Sequence, residues 1–258
     1  MRLENKVALV TSCRSSICSQ TAQQLAEAGA KVMICGRNTE RGRETVRKIQ
    51  RGGGRAAFVL ADVAILSDVE AVVDETIATY GRLDILLNHI SSEYAQDSEI
   101  AEVSEALWDR VVESALKGTF FCCQYALPFL QQSSGTIINL MRQSSNLRFN
   151  AVTTICQGGV AAMTSAIAQD ASVRPVTANL LWIKPPGDPK FNVEPMLNKQ
   201  ISASRMRLPV PADEHLDAAR PQLPDIVPPF TDVATAVLYL ASRSSTIQSS
   251  TLVVSERD

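Results

Sequence analysis

Lys6-Val7-Ala8-Leu9-Val10-Thr11-Ser12-Cys13-Arg14-Ser15-Ser16-Ile17-Cys18 is the stretch that decides the fold. Lys6 to Thr11 is a short β-rich apolar run, so it reads as a strand. Ile17 to Ala28 is a helix-forming run, and Gly29 stops it as a C-terminal cap. Lys31-Val32-Met33-Ile34-Cys35 is a second strand. Strand, loop, helix and strand at this spacing make a βαβ unit with a right-handed crossover. Where such a unit binds phosphate, its loop is glycine-rich, because backbone N–H groups must come close to the anion. This loop has none: no glycine occurs between Met1 and Gly29.

Alternation continues outward from that unit. Strands are expected near 6–11, 31–35, 56–60, 83–87, 135–140, 176–183 and 250–254, and helices near 17–29, 39–51, 66–80, 101–131, 151–171 and 231–243. Seven strands with intervening helices predict an α/β, Rossmann-type, doubly wound parallel sheet with helices on both faces. Thr231 is the expected N-cap of the last helix, and Pro128 is expected to bend the long fourth one. Ten of the twelve prolines fall between Pro185 and Pro229. That region reads as stiff and mostly irregular, with room for one helix near Glu194 to Met206.

Several segments resemble the classical short-chain dehydrogenase/reductases, from the first strand to the C-terminal tail. They are Leu25-Ala26-Glu27-Ala28-Gly29-Ala30, Ala61-Asp62-Val63, Gly81-Arg82-Leu83-Asp84-Ile85-Leu86-Leu87-Asn88, Lys117-Gly118-Thr119-Phe120-Phe121, and Asp232-Val233-Ala234 leading to Tyr239-Leu240-Ala241-Ser242. Together they are far more specific than a lone glycine motif. The resemblance implies a single domain over 1–258 with 185–229 as a substrate lid. It also implies a T-G-x-x-x-G-x-G dinucleotide loop, whose glycine positions fall on Ser12, Ser16 and Cys18. A Cβ at each costs about 1 kcal/mol if φ is positive, and side chains stand where phosphate would lie.

The resemblance implies four catalytic positions as well. The family's Asn falls on Ala115, its Ser on Arg142, its Tyr on Ile155 and its Lys on Gly159. Ile155 has no titratable proton, and losing a positioned acid/base costs about 10²- to 10⁴-fold in rate. Loss of the polarising donor costs a comparable factor. The family's N-N-A-G is Asn88-His89-Ile90-Ser91, and its C-terminal T-G…D-G-G is Gln248-Ser249…Ser255-Glu256-Arg257. Arg37, Asp62 and Asn88 fit a remnant adenosine pocket, with Arg37 where NADP-preferring members keep a positive charge. Otherwise no cofactor is expected in this chain, and no metal.

Each replaced residue also has a plainer reading. Arg142 is read as an anion ligand or cleft plug, or as a drifted position with a local carboxylate partner. Cys18 and Cys13 are small packed side chains rather than a redox pair. His89 and Tyr94 are structural, since the sequence names no group to orient them. The run Arg41, Arg43, Arg47, Lys48, Arg51 alternates with Glu40 and Glu44 and reads as a solvated face.

Composition places the chain among folded globular proteins. It has 258 residues, is 45% hydrophobic and carries a net charge of −2, which gives no electrostatic case for nucleic acid or membrane. A charged N-terminus entering a strand, and the lack of an apolar run near 18 residues, predict neither signal peptide nor membrane helix. Six cysteines without metal-ligand spacing suggest a reducing cytoplasm.

Packing segments match the family while phosphate and proton-transfer positions do not. The resemblance implies a four-helix interface through the helices near 101–131 and 151–171, where Val111, Val112, Leu116, Phe120, Val160, Met163 and Ile167 are apolar. The leading expectation is a non-catalytic subunit that pairs with an intact short-chain dehydrogenase in a hetero-oligomer, as a tetramer, with NAD or NADP in the partner. The pattern of losses resembles heteromeric hydroxyacyl-CoA dehydrogenases of aromatic degradation in which one chain is degenerate. The alternatives are a cofactor-independent lyase, isomerase or dehalogenase in the old cleft, and a homo-oligomeric sensor.

Overall fold

The computed structural model describes residues 3–11, 15–90, 100–142, 151–173, 175–184, 232–242 and 251–255. Its strands are β1 (Val7–Thr11), β2 (Lys31–Gly36), β3 (Arg55–Leu60), β4 (Ile85–Ile90), β5 (Thr136–Arg142), β6 (Thr177–Lys184) and β7 (Thr251–Ser255). They form one parallel sheet in the order β3-β2-β1-β4-β5-β6-β7. Its central strands are buried on both faces and therefore read as continuous apolar runs rather than alternating ones. β4 lies slightly later than the expected 83–87, and Asp84 just before it donates its N–H to the Val7 carbonyl of β1 at 2.9 Å.

The helices are α1 (Ser16–Glu27), α2 (Thr39–Arg51), α3 (Leu66–Tyr80), α4 (Glu105–Val111), α5 (Gly118–Ser133), α6 (Ala151–Gln169) and α7 (Val233–Ala241). Helices α1, α2 and α7 cover one face of the sheet, while α3, α5 and α6 cover the other. Gly29 lies one residue beyond the Ala28 cap of α1, at φ 102°, a left-handed conformation that favours glycine. The Thr231 cap is corrected: Asp232 is the N-cap of α7, its carboxylate accepting the Thr235 N–H at 2.7 Å. A carboxylate caps better than a threonine hydroxyl and also suits the positive helix end. Thr231, the expected 194–206 helix, the 185–229 region, Tyr94, Ser12 and Cys13 lie outside the described residues.

The expected fourth helix, 101–131, is not one regular helix. A 3₁₀ turn spans Ile100–Glu102, α4 follows, and a π-helical segment Val112–Lys117 joins α4 to α5. Pro128 lies well inside α5, so the interruption occurs far upstream of it. Hydroxyls bind carbonyls on both sides of the π segment: Ser114 Oγ to Arg110 O at 2.9 Å, and Thr119 Oγ1 to Ala115 O at 2.7 Å. Such back-bonding competes with the regular ladder and bends helices. Gly118 begins α5 where a Cβ would stand 2.6 Å from the Val63 carbonyl oxygen, so only glycine lets the helix approach the chain after β3.

α6 is 19 residues long with a mean hydropathy of 1.3, which by length and composition would suffice to cross a bilayer. The reading of no such segment rested on continuous apolar runs, and α6 reaches this average despite its Thr, Ser and Gln residues. In the fold it lies on β5 and β6, with Val152, Cys156 and Val160 in a core shared with Leu107, Val111, Met141 and Trp182.

Candidate functional site at the sheet switch point

β1 runs to β2 on one side and is flanked by β4 on the other, so the chain direction through the sheet reverses there. In open α/β sheets ligands bind at the C-terminal strand ends beside such a point. The residues found there are Thr11, Ser15 and Ser16 after β1, Asn88, His89 and Ile90 closing β4, and Arg142 closing β5.

Register and alternation decide what each does. Thr11 pairs with Asn88 and Asn88 with Asn139, so the three stand side by side in a row across β1, β4 and β5. They point to the α5–α6 face and form one directed hydrogen-bond chain. Thr11 Oγ1 donates to Asn88 Oδ1 at 3.2 Å, Asn88 Nδ2 to Asn139 Oδ1 at 2.9 Å, Asn139 Nδ2 to Thr164 Oγ1 at 2.8 Å, and Thr164 Oγ1 to the Val160 carbonyl at 2.7 Å. Asn88 Nδ2 also reaches Cys123 Sγ at 3.4 Å. All four polar side chains are at most 2% exposed. Buried amides and hydroxyls are tolerable only when satisfied, and here each link orients the next. Sequence reading singled out Asn88 alone; Thr11, Asn139 and Thr164 were missed, and aligning strand ends in register would have revealed the row.

His89 follows Asn88 and so points to the opposite face, toward α1. Its Nε2 lies 3.2 Å from Ser15 Oγ, which bridges the gap between β4 and the start of α1. Ser15 is also the N-cap of α1, its Oγ accepting the Cys18 N–H at 3.2 Å. One donor of the helix end is thereby taken by a side chain of the chain itself. Ser16 is exposed as the first helical residue, whereas Cys18 is fully buried among Ile17, Ala22 and the sheet. Neither has positive φ, so the strain expected at those positions does not arise.

The remaining positions are dispersed. Arg37 Nη1 lies 3.3 Å from Asp62 Oδ2, and Asp62 Oδ1 accepts the Ala64 N–H at 3.1 Å, so these two come together while Asn88 is committed to the buried row. An exposed pair of this kind contributes about 0–1 kcal/mol. Ala115 is buried in the π segment, and Arg142 is half-buried at the end of β5. Ile155 on α6 is 45% exposed. A Cβ on Gly159 would stand 2.9 Å from Leu116 Cδ1, so Leu116 occupies the direction a longer side chain at 159 would take. Of the expected interface residues, Val111 and Val160 are core rather than surface; Val112, Leu116, Met163 and Ile167 are partly buried, and Phe120 is 46% exposed.

No group of three metal-ligating side chains occurs among the described residues. A cavity of about 420 Å³, lined by Lys6, Asp84, Thr136, Thr177 and Ser242, opens at the opposite, N-terminal edge of the sheet. There Asp84 binds Lys6 Nζ and Arg82 Nη2, each at 2.6 Å, and the Val7 N–H at 3.0 Å. Burial alone would raise this carboxyl, but the Arg82, Lys6 and Val7 hydrogen bonds together hold it below its ordinary 3.8.

The family model for short chain dehydrogenases matches residues 6–186, more than two thirds of the chain. The chain belongs to that family. An uncharacterised oxidoreductase of Thermotoga maritima is 34% identical over 66% of this chain and 67% of its own length. A 3beta-hydroxysteroid dehydrogenase of Mediterraneibacter gnavus is 30% identical over 70% of this chain and 66% of its own length. The chain thus spans about two thirds of both. The subunit BbsD of (2S)-[(R)-hydroxy(phenyl)methyl]succinyl-CoA dehydrogenase from Thauera aromatica is 31% identical over 80% of this chain and 83% of its own. Among solved structures, a putative short-chain alcohol dehydrogenase from Sinorhizobium meliloti 1021 superposes with a TM-score of 0.73, covering 98% of this chain and 95% of that one at 24% identity. At that identity the likeness speaks for the short-chain dehydrogenase fold alone.

Proposed function

We propose that this member of the short-chain dehydrogenase family does not transfer hydride itself and serves as a subunit that pairs with an intact homologue. The observation that carries this reading is the pair of residues at the family's acid/base positions: Ile155 offers only an aliphatic side chain, and Gly159 is backed by Leu116. Among the described residues no group of comparable acidity replaces them there, and a dehydrogenase needs one within hydrogen-bond reach of the alcohol.

The residues present also do not fit a dinucleotide. Its pyrophosphate would need the α1 N-terminal donors and open space beside them. Here Ser15 Oγ takes the Cys18 N–H, His89 closes on Ser15, and Ser16 adds a side chain at the helix start. NAD or NADP would then reside in the partner, in a hetero-oligomer of two kinds of chain, most simply a tetramer in the cytoplasm. The T. aromatica relative is named as a subunit and acts on a CoA thioester, which supports a hydroxyacyl-CoA substrate for the complex. Phe120 and Ile155, exposed on neighbouring α5 and α6, offer an apolar face for such a partner.

Co-expression with an intact homologue from the same genome tests this. The two chains should elute as one species, and the isolated chain should give no calorimetric heat with NAD or NADP. An isolated chain that oxidised alcohols with either cofactor would overturn the reading.

A further inference from the structure

We propose that Ser15 and His89 form a nucleophile and base pair able to accept an acyl group from an activated carboxylic ester. The two are 74 residues apart in sequence and meet only because β4 ends beside the start of α1, with Ser15 Oγ at 3.2 Å from His89 Nε2. Nucleophilic serines are recognised by this contact with an imidazole rather than by sequence position.

The details of the contact suit the chemistry. Ser15 Oγ accepts the Cys18 N–H, so its own proton is available for His89 Nε2, in the imidazole tautomer that leaves Nε2 its lone pair. His89 is 3% exposed, which holds the ring against the sheet, whereas Ser15 is half-buried and Ser16 beside it is exposed. The nucleophile is therefore closer to solvent than the base. Ser15 follows a strand and starts a 12-residue helix. The N–H groups of Ser16 and Ile17 belong to the first turn, whose donors have no carbonyl four residues back within the helix. They adjoin Oγ, as the donor following the nucleophile does in strand–turn–helix hydrolases.

The step balances with water as the only other reactant. Ser15 Oγ bonds to the acyl carbon as its proton passes to His89 Nε2, and the carbonyl electron pair moves to oxygen facing the Ser16 and Ile17 N–H groups. Collapse breaks the bond to the leaving group, which takes the proton from His89. Water then attacks the acyl-Ser15 ester with His89 as base, releasing the carboxylic acid and restoring both side chains. No oxidant or nicotinamide takes part, so this activity is independent of the subunit role.

p-Nitrophenyl acetate is the test probe, used on the purified full chain without cofactor or second chain. The expected result is a burst of about one equivalent of nitrophenolate per chain followed by slower turnover, with a single acetyl group trapped during the burst and mapped to Ser15 by peptide mass spectrometry. His89→Gln should slow acetylation by about 10²- to 10⁴-fold. Ser15→Gly should abolish it; glycine is a competent N-cap, so the melting temperature should move little. Acetylation on another residue, an unchanged rate in a folded His89→Gln variant, or no acetylation of the folded wild type would each overturn the proposal. None of these results would alter whether the chain pairs with a homologue.

Discussion

Replacing Asn139 by leucine should destabilise the protein far more than its conservative volume suggests. The amide stands in the middle of the row from Thr11 to Val160, accepting from Asn88 at 2.9 Å and donating to Thr164 at 2.8 Å. Leucine removes both bonds, leaving Asn88 Nδ2 and the Thr164 oxygen each short of a partner inside a region 0–2% exposed. A buried polar group so stranded costs about 1–3 kcal/mol. Asn88 keeps Cys123 and Thr164 keeps the Val160 carbonyl, so each should fall in the lower half of that range. The sum is about 2–4 kcal/mol, a large part of the ~5–15 kcal/mol that holds a domain together. Asn88→Leu should cost about as much, since it strands Thr11 and Asn139 instead. In the double variant the Asn88–Asn139 bond is missing as a unit, so its cost should undershoot the sum of the singles by about 1 kcal/mol or more. Urea unfolding at constant m measures all three. Fluorescence of Trp182, 3% exposed in β6 and in register with Met141, reports the same part of the sheet. A single-variant cost below about 0.5 kcal/mol, or strict additivity, would mean that the row is not a connected network.

Three further outcomes follow from individual groups. Asp84, held below 3.8 by Arg82, Lys6 and the Val7 N–H against the opposing effect of burial, contributes stability that is complete above the unfolded pKa of about 3.9 and disappears as pH falls through the lower folded value. Acid titration of the melting temperature should therefore drop below pH ~4 in the wild type and flatten in Asp84→Asn, which should also be less stable at neutral pH. Burial pushes the thiols of Cys123 up to about 12 and Cys156 up to about 11, and Cys122 well above its ordinary range. Iodoacetamide at pH 8 should leave all three unmodified in native protein and alkylate them once it is unfolded, as read by peptide mass spectrometry. Gly118→Ala should lower the melting temperature despite alanine's better helix propensity, because its Cβ meets the Val63 carbonyl at 2.6 Å; a rise would show that α5 can shift freely.

The βαβ opening, the seven parallel strands and most element positions were legible because apolar runs and capping signals depend on neighbours close in sequence. Gly29 at φ 102° is an example, whereas the Ser15 cap emerged only from the structure. The fourth helix was not: its apolar pattern continues through Val111, Val112, Ala115, Leu116 and Phe120, and nothing in that periodicity signals a π segment held by hydroxyl contacts to carbonyls. The cap falls on Asp232 rather than Thr231 because either residue type can cap, and only the backbone geometry at Asp232 decides between them.

The site shows the same division more sharply. The expectation that Ala115, Arg142, Ile155 and Gly159 stand where the family keeps its reacting groups comes from residue identity and spacing and needs no coordinates. What stands in their place does need them, because it depends on the parity of one strand. Asn88 and His89 are adjacent in sequence, yet alternation sends the first into the buried row toward α5 and α6 and the second across to Ser15. A one-residue slip of β4 would exchange them, burying an imidazole in the amide row and aiming an amide at α1. The row of Thr11, Asn88 and Asn139 fixes that register. The polar network that stabilises the sheet is therefore also what holds His89 against Ser15. It follows that Asn139→Leu, which touches neither residue, should weaken acetylation of Ser15 along with stability. An Asn139→Leu protein that remains folded and acetylates at the wild-type rate would show that β4 keeps its register without the row.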